Sequence, residues 1–386
     1  MIFFCIFGHN RNSMNMKKIL LSLAAAVMAA SSALHAKTDL PYTNSYAFGL
    51  DLSFVLQAER EGKQYYDIDG TPKDPWSIFR GHGYNWARLM ICNEPSSLGQ
   101  DLEYVLEGAA KLKEHGYHFA LDFMMSDGWA NPMTQPTPVS LADMSHQERV
   151  AAFREYVHGV IRALEDAGTP PEIVQIGNEI SNGVFWPDGR VFYGEEKRSK
   201  SNWKELCEYL NAGAYAVRSV DRDIRIMLHV DFGGDMEMSG IFFDNMEKYS
   251  VDYDIVGFSF YPWSHGNLMD LRDNLYFTIK KCRKPVMVIE TGYYSVPSQY
   301  FELKGVKAPF PETPDGQKAW FQAVNEIVMN APDNMGRGVF WWEPMFRGRG
   351  FFDDVTLKAK PIVGAFEQYA YPLERADGNP RIWDFE

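Results

Sequence analysis

The sequence predicts a single (β/α)8 TIM barrel of the α/β class. From residue 46 onward, eight short apolar runs alternate with eight amphipathic stretches, and polar or aromatic residues recur where the apolar runs end. Strict alternation implies parallel strands joined by right-handed crossovers. A chain of 386 residues, 46% hydrophobic, is long enough to close them into a barrel. The alternative is an open doubly wound sheet, but no glycine-rich phosphate loop follows the first strand.

The predicted strands are apolar runs of strand length bounded by polar or turn residues. They lie at 46–53, 84–92, 117–125, 172–178, 224–231, 253–261, 285–291 and 336–343. The predicted helices lie at 74–81, 101–115, 145–168, 203–220, 240–249, 268–282, 314–330 and near 359–370. In segment 102–116, for example, apolar residues recur every three to four positions before a glycine stop.

Two of the loops that follow predicted strands are long, at 181–202 and 292–313. Loops at the carboxyl ends of barrel strands build the functional site. We therefore expect these two loops to wall a cleft.

The N-terminus has the pattern of an export signal. Lys17 and Lys18 precede an alanine-rich apolar run, and small residues follow up to a cleavage point after Ala36. Met16 is the predicted true start, and the apolar run is too short to span a bilayer. We expect residues 1–36 to be a signal peptide and 37–386 a single catalytic domain, exported to the periplasm or the cell exterior, with no membrane span.

The charge of the chain favours a neutral partner. The net charge is −13, and removing residues 1–36 takes away three basic residues and no acid, which leaves −16. Such a protein repels nucleic acid and other polyanions. Three cysteines would remain, too few and too scattered for a disulfide framework or a metal site. The sequence thus predicts a monomer that needs no cofactor and no metal.

Two glutamates end apolar runs, Glu179 in IVQIGNEI and Glu290 in VMVIETGYY. Because the carboxyl ends of barrel strands meet at one mouth, we expect their side chains to face each other. A protonated carboxyl and a carboxylate on either side of a sugar are what glycoside hydrolysis needs. We predict that Glu179 is the acid/base and Glu290 the nucleophile.

Other strand ends support this pair. Arg88, at the end of the second strand, is placed to keep Glu290 ionised, and Tyr261, after the sixth, can donate a hydrogen bond to it. Asn178 and Trp342 occupy equivalent positions on the fourth and eighth strands. Each residue alone is a weak signal, but their recurrence at successive strand ends is not easily due to chance.

These motifs resemble glycoside hydrolase family 53, the endo-β-1,4-galactanases, from about Gly49 to Leu357. The similarity is carried by segments such as GLDLSFV, YNWARL, VQIGNEISNGVFWPDG, VMVIETGYY and GVFWWEP. The resemblance implies a (β/α)8 barrel from a large clan of retaining glycosidases. It assigns the acid/base role to Glu179 and the nucleophile role to Glu290. Residues implied to line the sugar subsite at the cleavage point are Arg88, Asn178, Tyr261 and Trp342.

The chain departs from the family pattern at positions expected near the sugar. They are Cys92, Met124, Met125, Asn131, Phe232 and Ser264. Two methionines replace a histidine and a tyrosine, which removes hydrogen-bonding groups. A site built on polar contacts discriminates between hydroxyl patterns, so these changes can alter which sugar is accepted.

Further candidates for substrate contact lie near the strand ends. Trp129 and Trp186 can stack on sugar rings, and His229 and His265 can bond hydroxyls, although each type is also common in structural roles. Asp127 is a candidate either for substrate binding or for orienting its loop.

Three functions stay open at this stage. The first is a secreted endo-acting retaining glycosidase that cleaves the β-1,4-galactan side chains of pectin. The second is the same mechanism on another neutral β-linked polysaccharide. The third is a non-hydrolytic glycan-binding surface protein.

Overall fold

The computed structural model describes residues 46–94, 96–194 and 200–367, all within the compact unit Asp39–Glu386. The predicted signal peptide, residues 1–36 with Met16, lies outside the described residues. So do residues 368–370, the end of the last predicted helix.

Eight parallel strands form a closed barrel, which confirms the predicted fold class. They are β1 (Ala47–Asp51), β2 (Trp86–Ile91), β3 (His118–Phe123), β4 (Ile173–Ile176), β5 (Arg225–Val230), β6 (Ile255–Phe260), β7 (Val286–Thr291) and β8 (Gly336–Trp341). Each strand pairs with its neighbours in chain order, and β1 closes the ring by pairing with β8. All eight carboxyl ends therefore open onto the same mouth.

Seven of the predicted helices surround the barrel, with small shifts at their ends. They are α1 (Pro75–Gly81), α2 (Leu102–His115), α3 (His146–Asp166), α4 (Trp203–Val220), α5 (Met236–Lys248), α6 (Leu268–Cys282) and α7 (Pro314–Met329). Local signals set their ends: Ser145 and Glu148 form a capping box at the start of α3, and Gly116 ends α2 in the left-handed conformation.

The predicted eighth helix near 359–370 is wrong over its described part. Residues Pro361–Gly364 form one 3-10 turn. Just before it, the Ala359 N–H donates to the Tyr66 carbonyl and the Lys360 N–H donates to the Phe351 carbonyl. Lys360 is extended (ψ 164°) because it precedes Pro361, whose ring disfavours the helical conformation in the residue before it, so a helix cannot run through this position.

Two short helices were not predicted. They are Val55–Arg60, which follows β1, and Tyr300–Leu303, within the seventh loop. Across the described ranges, no helix has the combined length and apolarity that crossing a membrane requires.

The inside of the barrel is filled by a compact apolar cluster. Its members are Ala47, Trp86, Ala120, Ile173, Met227, Ile255, Met287, Ile289 and Phe340. Gly49 leaves room for this packing, because a Cβ at that position would lie 2.4 Å from the Phe340 ring. The polar groups at the mouth thus rest on a solid apolar floor.

Candidate active site

A buried arginine organises the mouth of the barrel. Arg88, at 2% exposure, donates from Nη2 to Glu290 Oε1 (2.6 Å), from Nε to Asp51 Oδ2 (2.7 Å) and from Nη1 to Gln175 Oε1 (3.3 Å). A charge this deeply buried requires such pairing. One guanidinium therefore ties together the ends of β1, β4 and β7.

Asp122, at the end of β3, lies next to this network but does not compete for it. Its Oδ2 is 3.8 Å from Arg88 Nη1, and its Oδ1 accepts from Gln175 Nε2 at 2.6 Å. Burial raises the pKa of this carboxyl to about 8, although the Arg88 charge opposes the shift. Asp122 is therefore mostly protonated at neutral pH, which leaves Arg88 to Asp51 and Glu290.

Glu290 is held on both carboxylate oxygens. Oε1 accepts from Arg88, and Oε2 accepts from the Tyr261 hydroxyl at 3.1 Å. Burial, followed by the Glu290 charge, raises the pKa of Tyr261 well above its ordinary value, so the phenol keeps its proton and remains a donor. Two fixed donors stabilise the ionised form of a carboxyl group.

Glu179 has the opposite surroundings. Its carboxyl receives one hydrogen bond, from Ser259 Oγ to Oε1 at 2.6 Å. Burial, and then the charges of Glu290 and Asp231, raise its pKa well above the ordinary value. Glu179 therefore favours its protonated form, whereas two hydrogen-bond donors hold the Glu290 carboxylate, which is the division of roles that acid and nucleophile require.

His229 supports Glu179 from below. Its Nδ1 accepts from the Glu179 N–H (3.3 Å) and from Gln175 Nε2 (3.1 Å), so the proton is assigned to Nε2, which donates to Ser259 Oγ at 2.9 Å. Burial, and then Arg88, lower the pKa of His229 well below its usual range, so the ring is neutral. The chain His229–Ser259–Glu179 thereby fixes the orientation of the carboxyl group.

The backbone of Glu179 is in a strained conformation, with φ at +46°. For a non-glycine residue this conformation costs on the order of 1–3 kcal/mol. Gln135 Nε2 donates to the carbonyls of Asn178 (2.8 Å) and Glu179 (3.3 Å), and Asn178 Nδ2 donates to the Ala130 carbonyl (2.8 Å). The third loop thus holds the Asn178–Glu179 pair in place.

The two glutamates face each other across the mouth. One carboxylate oxygen of Glu179, one of Glu290 and a ring nitrogen of His229 all lie within 4.8 Å of one another. Retaining glycosidases place their two carboxyl groups about 5–5.5 Å apart, whereas inverting enzymes need a wider gap for water. The spacing matches the retaining geometry.

The same three residues are a candidate metal group by distance alone, but their chemistry does not fit one. Both Glu290 oxygens already accept from Arg88 and Tyr261, and His229 Nδ1 accepts from the Glu179 backbone. A guanidinium 2.6 Å from the carboxylate would also repel a divalent cation.

The glutamates open into a cleft of about 400 Å³. It is lined by Trp129, Ala130, Asn131, Asn178, Glu179, Tyr261, Glu290, Tyr300, Trp342 and Arg349. The prediction about the walls is right for the seventh loop, which supplies Tyr300. It is wrong for the fourth loop, because no described residue of 181–202 lines the cleft. The third loop takes its place.

A second pocket of about 410 Å³ adjoins the cleft and shares Trp129 and Trp342 with it. Phe54 and Phe346 line its apolar walls. Trp129 is 43% exposed and stacks on Phe54 with ring centroids 5.9 Å apart. Together the two spaces form an elongated depression.

Several predicted binding residues lie away from the cleft wall. The Trp186 indole donates to the Asn182 carbonyl (2.8 Å), and the Arg190 guanidinium covers its ring at 3.9 Å. Asp127 Oδ2 accepts from the Val139 N–H (2.8 Å), which fastens its own loop. His265 Nδ1 accepts from the Tyr261 N–H at 3.0 Å, and His229 is fully buried.

The departures from the family pattern lie in several environments. Cys92 and Met124 are buried in a small apolar cluster with Met90 and Ala130, below the third loop. Asn131 lines the cleft itself. The remaining departures, Met125, Phe232 and Ser264, are not among the residues that line the cleft.

Three functional residues were not predicted from the sequence. Ser259 and Gln175 could have been found from the sequence. Ser259 lies two positions before Tyr261 and Gln175 lies four before Glu179, and alternate strand residues share a face. Arg349 lies in an irregular loop with no such periodicity.

Comparisons with known proteins identify the family of the chain. The model of glycosyl hydrolase family 53 matches residues 47–362. The chain is 36% identical, over 78% of its length and 84% of the relative's, to a Niallia circulans protein described as an uncharacterized protein in the bgaB 5′ region. It is 29% identical to the arabinogalactan endo-β-1,4-galactanase A of Aspergillus niger, over 79% of this chain and 87% of that one.

A solved structure is also similar. The family 53 catalytic domain of Ignisphaera aggregans superposes with a TM-score of 0.76 at 26% identity, covering 85% of this chain and 98% of that domain. These matches confirm the resemblance that the sequence motifs indicated. The chain belongs to glycosyl hydrolase family 53 and is a glycoside hydrolase.

Proposed function

We propose that the protein is an endo-acting, retaining β-1,4-galactanase in which Glu290 is the nucleophile and Glu179 the acid/base. The observation that carries the proposal is the pair of carboxyl groups within 4.8 Å of each other in opposite electrostatic surroundings. The choice of galactan is supported by relatives named as galactanases at 29% identity.

The reaction takes two steps. In the first, a Glu290 oxygen forms a bond to the anomeric carbon while the Glu179 proton passes to the leaving glycosidic oxygen, whose bond to that carbon breaks. In the second, the Glu179 carboxylate takes a proton from water. The resulting oxygen attacks the anomeric carbon, and Glu290 leaves as a carboxylate. Two inversions give net retention.

The shape of the depression supports cleavage within a chain. Trp129 and Trp342 border both the cleft and the adjoining pocket, so successive sugar units can lie along them. Asn178 and Tyr261 offer polar groups beside the glutamates. A cleft that continues into a neighbouring pocket supports an endo mode over removal of terminal sugars.

We further propose that the protein is a monomer exported to the periplasm or the cell exterior, where it acts on galactan side chains of pectin. Support comes from the signal-like pattern of residues 1–36 and from a net charge that suits a neutral polymer.

The test is product analysis on purified galactan with arabinogalactan and mannan in parallel. We expect a mixture of galacto-oligosaccharides early in the reaction, with the anomeric configuration retained in the first products. Activity on mannan with none on galactan would refute the galactan assignment, and the buried Cys92 and Met124 would be the first positions to revert.

Incubation with a 2-deoxy-2-fluorogalactoside carrying a good leaving group tests the catalytic roles. We expect a covalent adduct on the peptide that contains Glu290, detected by mass spectrometry. Tight oligosaccharide binding with neither hydrolysis nor labelling would indicate a binding protein instead.

A further inference from the structure

Arg349, in the loop after β8, places a second guanidinium at the cleft. It lines the cleft together with Glu179, Glu290 and Tyr261. Four aromatic rings hold it in place. The distances from Arg349 Cζ to the ring centroids are 4.6 Å to Phe346, 4.9 Å to Trp342, 5.6 Å to Tyr294 and 5.8 Å to Trp263. Such contacts fix a cation without using its N–H groups.

The guanidinium has no ion-pair partner among the described residues, and its Nε is buried without a hydrogen bond. Arg88 differs sharply, because carboxylates lie 2.6 and 2.7 Å from its nitrogens. Donors that a fold leaves unused beside a cleft are available to a ligand, and an unpaired buried donor costs free energy until a ligand supplies an acceptor.

The charges around the cleft indicate what kind of ligand this is. The two guanidinium groups of Arg88 and Arg349 are balanced by the two arginine-paired carboxylates, Asp51 and Glu290.

The other acids at the mouth do not alter this balance. Burial is the largest cause that raises the pKa values of Glu179, Asp122, Glu343 and Asp231, which lowers the negative charge that these carboxyl groups carry. A carboxylate ligand would leave the site with excess negative charge in a protein that is already strongly acidic. A neutral sugar would not.

We propose that Arg349 is a specificity-determining residue that donates paired hydrogen bonds to two neighbouring oxygens of the neutral sugar lying against Trp342. The inference rests on the proposed glycosidase function and deepens it. A planar, rigid fork of N–H groups suits two adjacent oxygens, whereas a lysine ammonium offers only a point charge. The aromatic cage presents this fork in a fixed orientation, so little conformational entropy is lost on binding.

Steady-state kinetics on galactotetraose tests the proposal with Arg349→Met, Arg349→Lys and the control Arg190→Met. Arg190 is matched because its guanidinium also rests on aromatic rings, Trp186 and Phe192, and its Nε also lacks a hydrogen bond, but it does not line the cleft. We expect Arg349→Met to lower kcat/KM about 10- to 100-fold, mostly through KM. Arg349→Lys should recover only part of the loss, and the control should match the wild type.

Other outcomes overturn the proposal. An unchanged KM in Arg349→Met would make Arg349 a structural residue. So would a loss of activity that accompanies a fall in Tm and leaves KM unchanged. A wild-type preference for C6-oxidised, carboxylate-bearing oligosaccharides that vanishes in Arg349→Met would assign it an acidic ligand.

The proposed function fails separately. If wild-type protein does not hydrolyse galactan, calorimetric binding of neutral oligosaccharides from a panel to the Glu179→Gln protein still tests Arg349. If adding Arg349→Met weakens binding about 10-fold or more, the inference about Arg349 is supported. If binding is unaffected, the inference is refuted.

Discussion

The two glutamates at the barrel mouth, Glu290 and Glu179, have opposite surroundings. Glu290, on β7, receives hydrogen bonds from a guanidinium on β2 and a phenol just after β6. Glu179, just after β4, receives one from a serine hydroxyl on β6, and its neighbour His229 is neutral. The side-chain chemistry is identical, so the surroundings alone separate a nucleophile from an acid.

The difference also concerns the backbone. Glu290 lies within strand β7, whereas Glu179 adopts a left-handed conformation just after β4. The charged partner is fixed by ion pairs and the neutral partner by a constrained turn. A carboxyl group that must give up and recover its proton in each cycle is thus positioned without a permanent counter-charge.

Removing each carboxyl group in turn is the most severe test of this contrast. Glu290→Gln should lower kcat by about 10⁴-fold or more on every substrate, because no covalent intermediate can form. Glu179→Gln should lose activity on galactan but keep much of the first step on an aryl galactobioside with an acidic leaving group, which needs no protonation. Comparable losses for both variants on the activated substrate would contradict the division of roles.

Arg88→Met removes the cation that pairs with Glu290 and should affect stability as well as rate. It leaves Asp51 and Glu290 buried without their cation, which typically costs about 3–5 kcal/mol of unfolding free energy. Urea unfolding at pH 7 measures this loss, with the exposed Arg272→Met as control, because among the described residues that arginine forms an ion pair only with its surface neighbour Asp273. A loss of unfolding free energy below about 1 kcal/mol, typical of surface pairs, would show that burying these two carboxylates without their cation does not carry the expected cost.

Ser259→Ala makes the smallest change, and it affects the surroundings of Glu179 alone. The Ser259 hydrogen bond lowers the pKa of Glu179, while burial and Glu290 raise it. Without the hydroxyl this pKa rises further. Activity that requires protonated Glu179 is lost as pH rises through its pKa, so the alkaline limb of the kcat/KM profile should move to higher pH. An alkaline limb that moves to lower pH would contradict the assignment.

The sequence was sufficient for the barrel because its signal is repeated. Strands and helices alternate with regular apolar patterns, and in a parallel barrel the ends of all strands meet at one mouth. Glu179, Tyr261 and Glu290 could therefore be proposed from their positions at strand ends, whereas Arg88, predicted at the end of its strand, lies in the middle of β2. The eighth helix was mispredicted because Ala359 pairs with Phe352 and Lys360, which precedes Pro361, is extended.

The walls of the cleft were harder to predict because loops follow no period. Loop length indicated the fourth loop, yet the third lines the cleft, since Gln135 and Ala130 tie it to the strained Asn178–Glu179 turn. Arg349 gave no signal, because its importance depends on four rings from three loops, those after β6, β7 and β8, which meet only in three dimensions.

The reach of Arg88 has a consequence for how activity is acquired. Its contacts join β2 to β1, β4 and β7, and its partner Glu290 is 202 residues further along the chain. Such long-range contacts form late, after many loops have closed. During refolding from urea, we therefore expect the helical signal to return before turnover. The onset of glycosidic bond hydrolysis would then report that the barrel has closed.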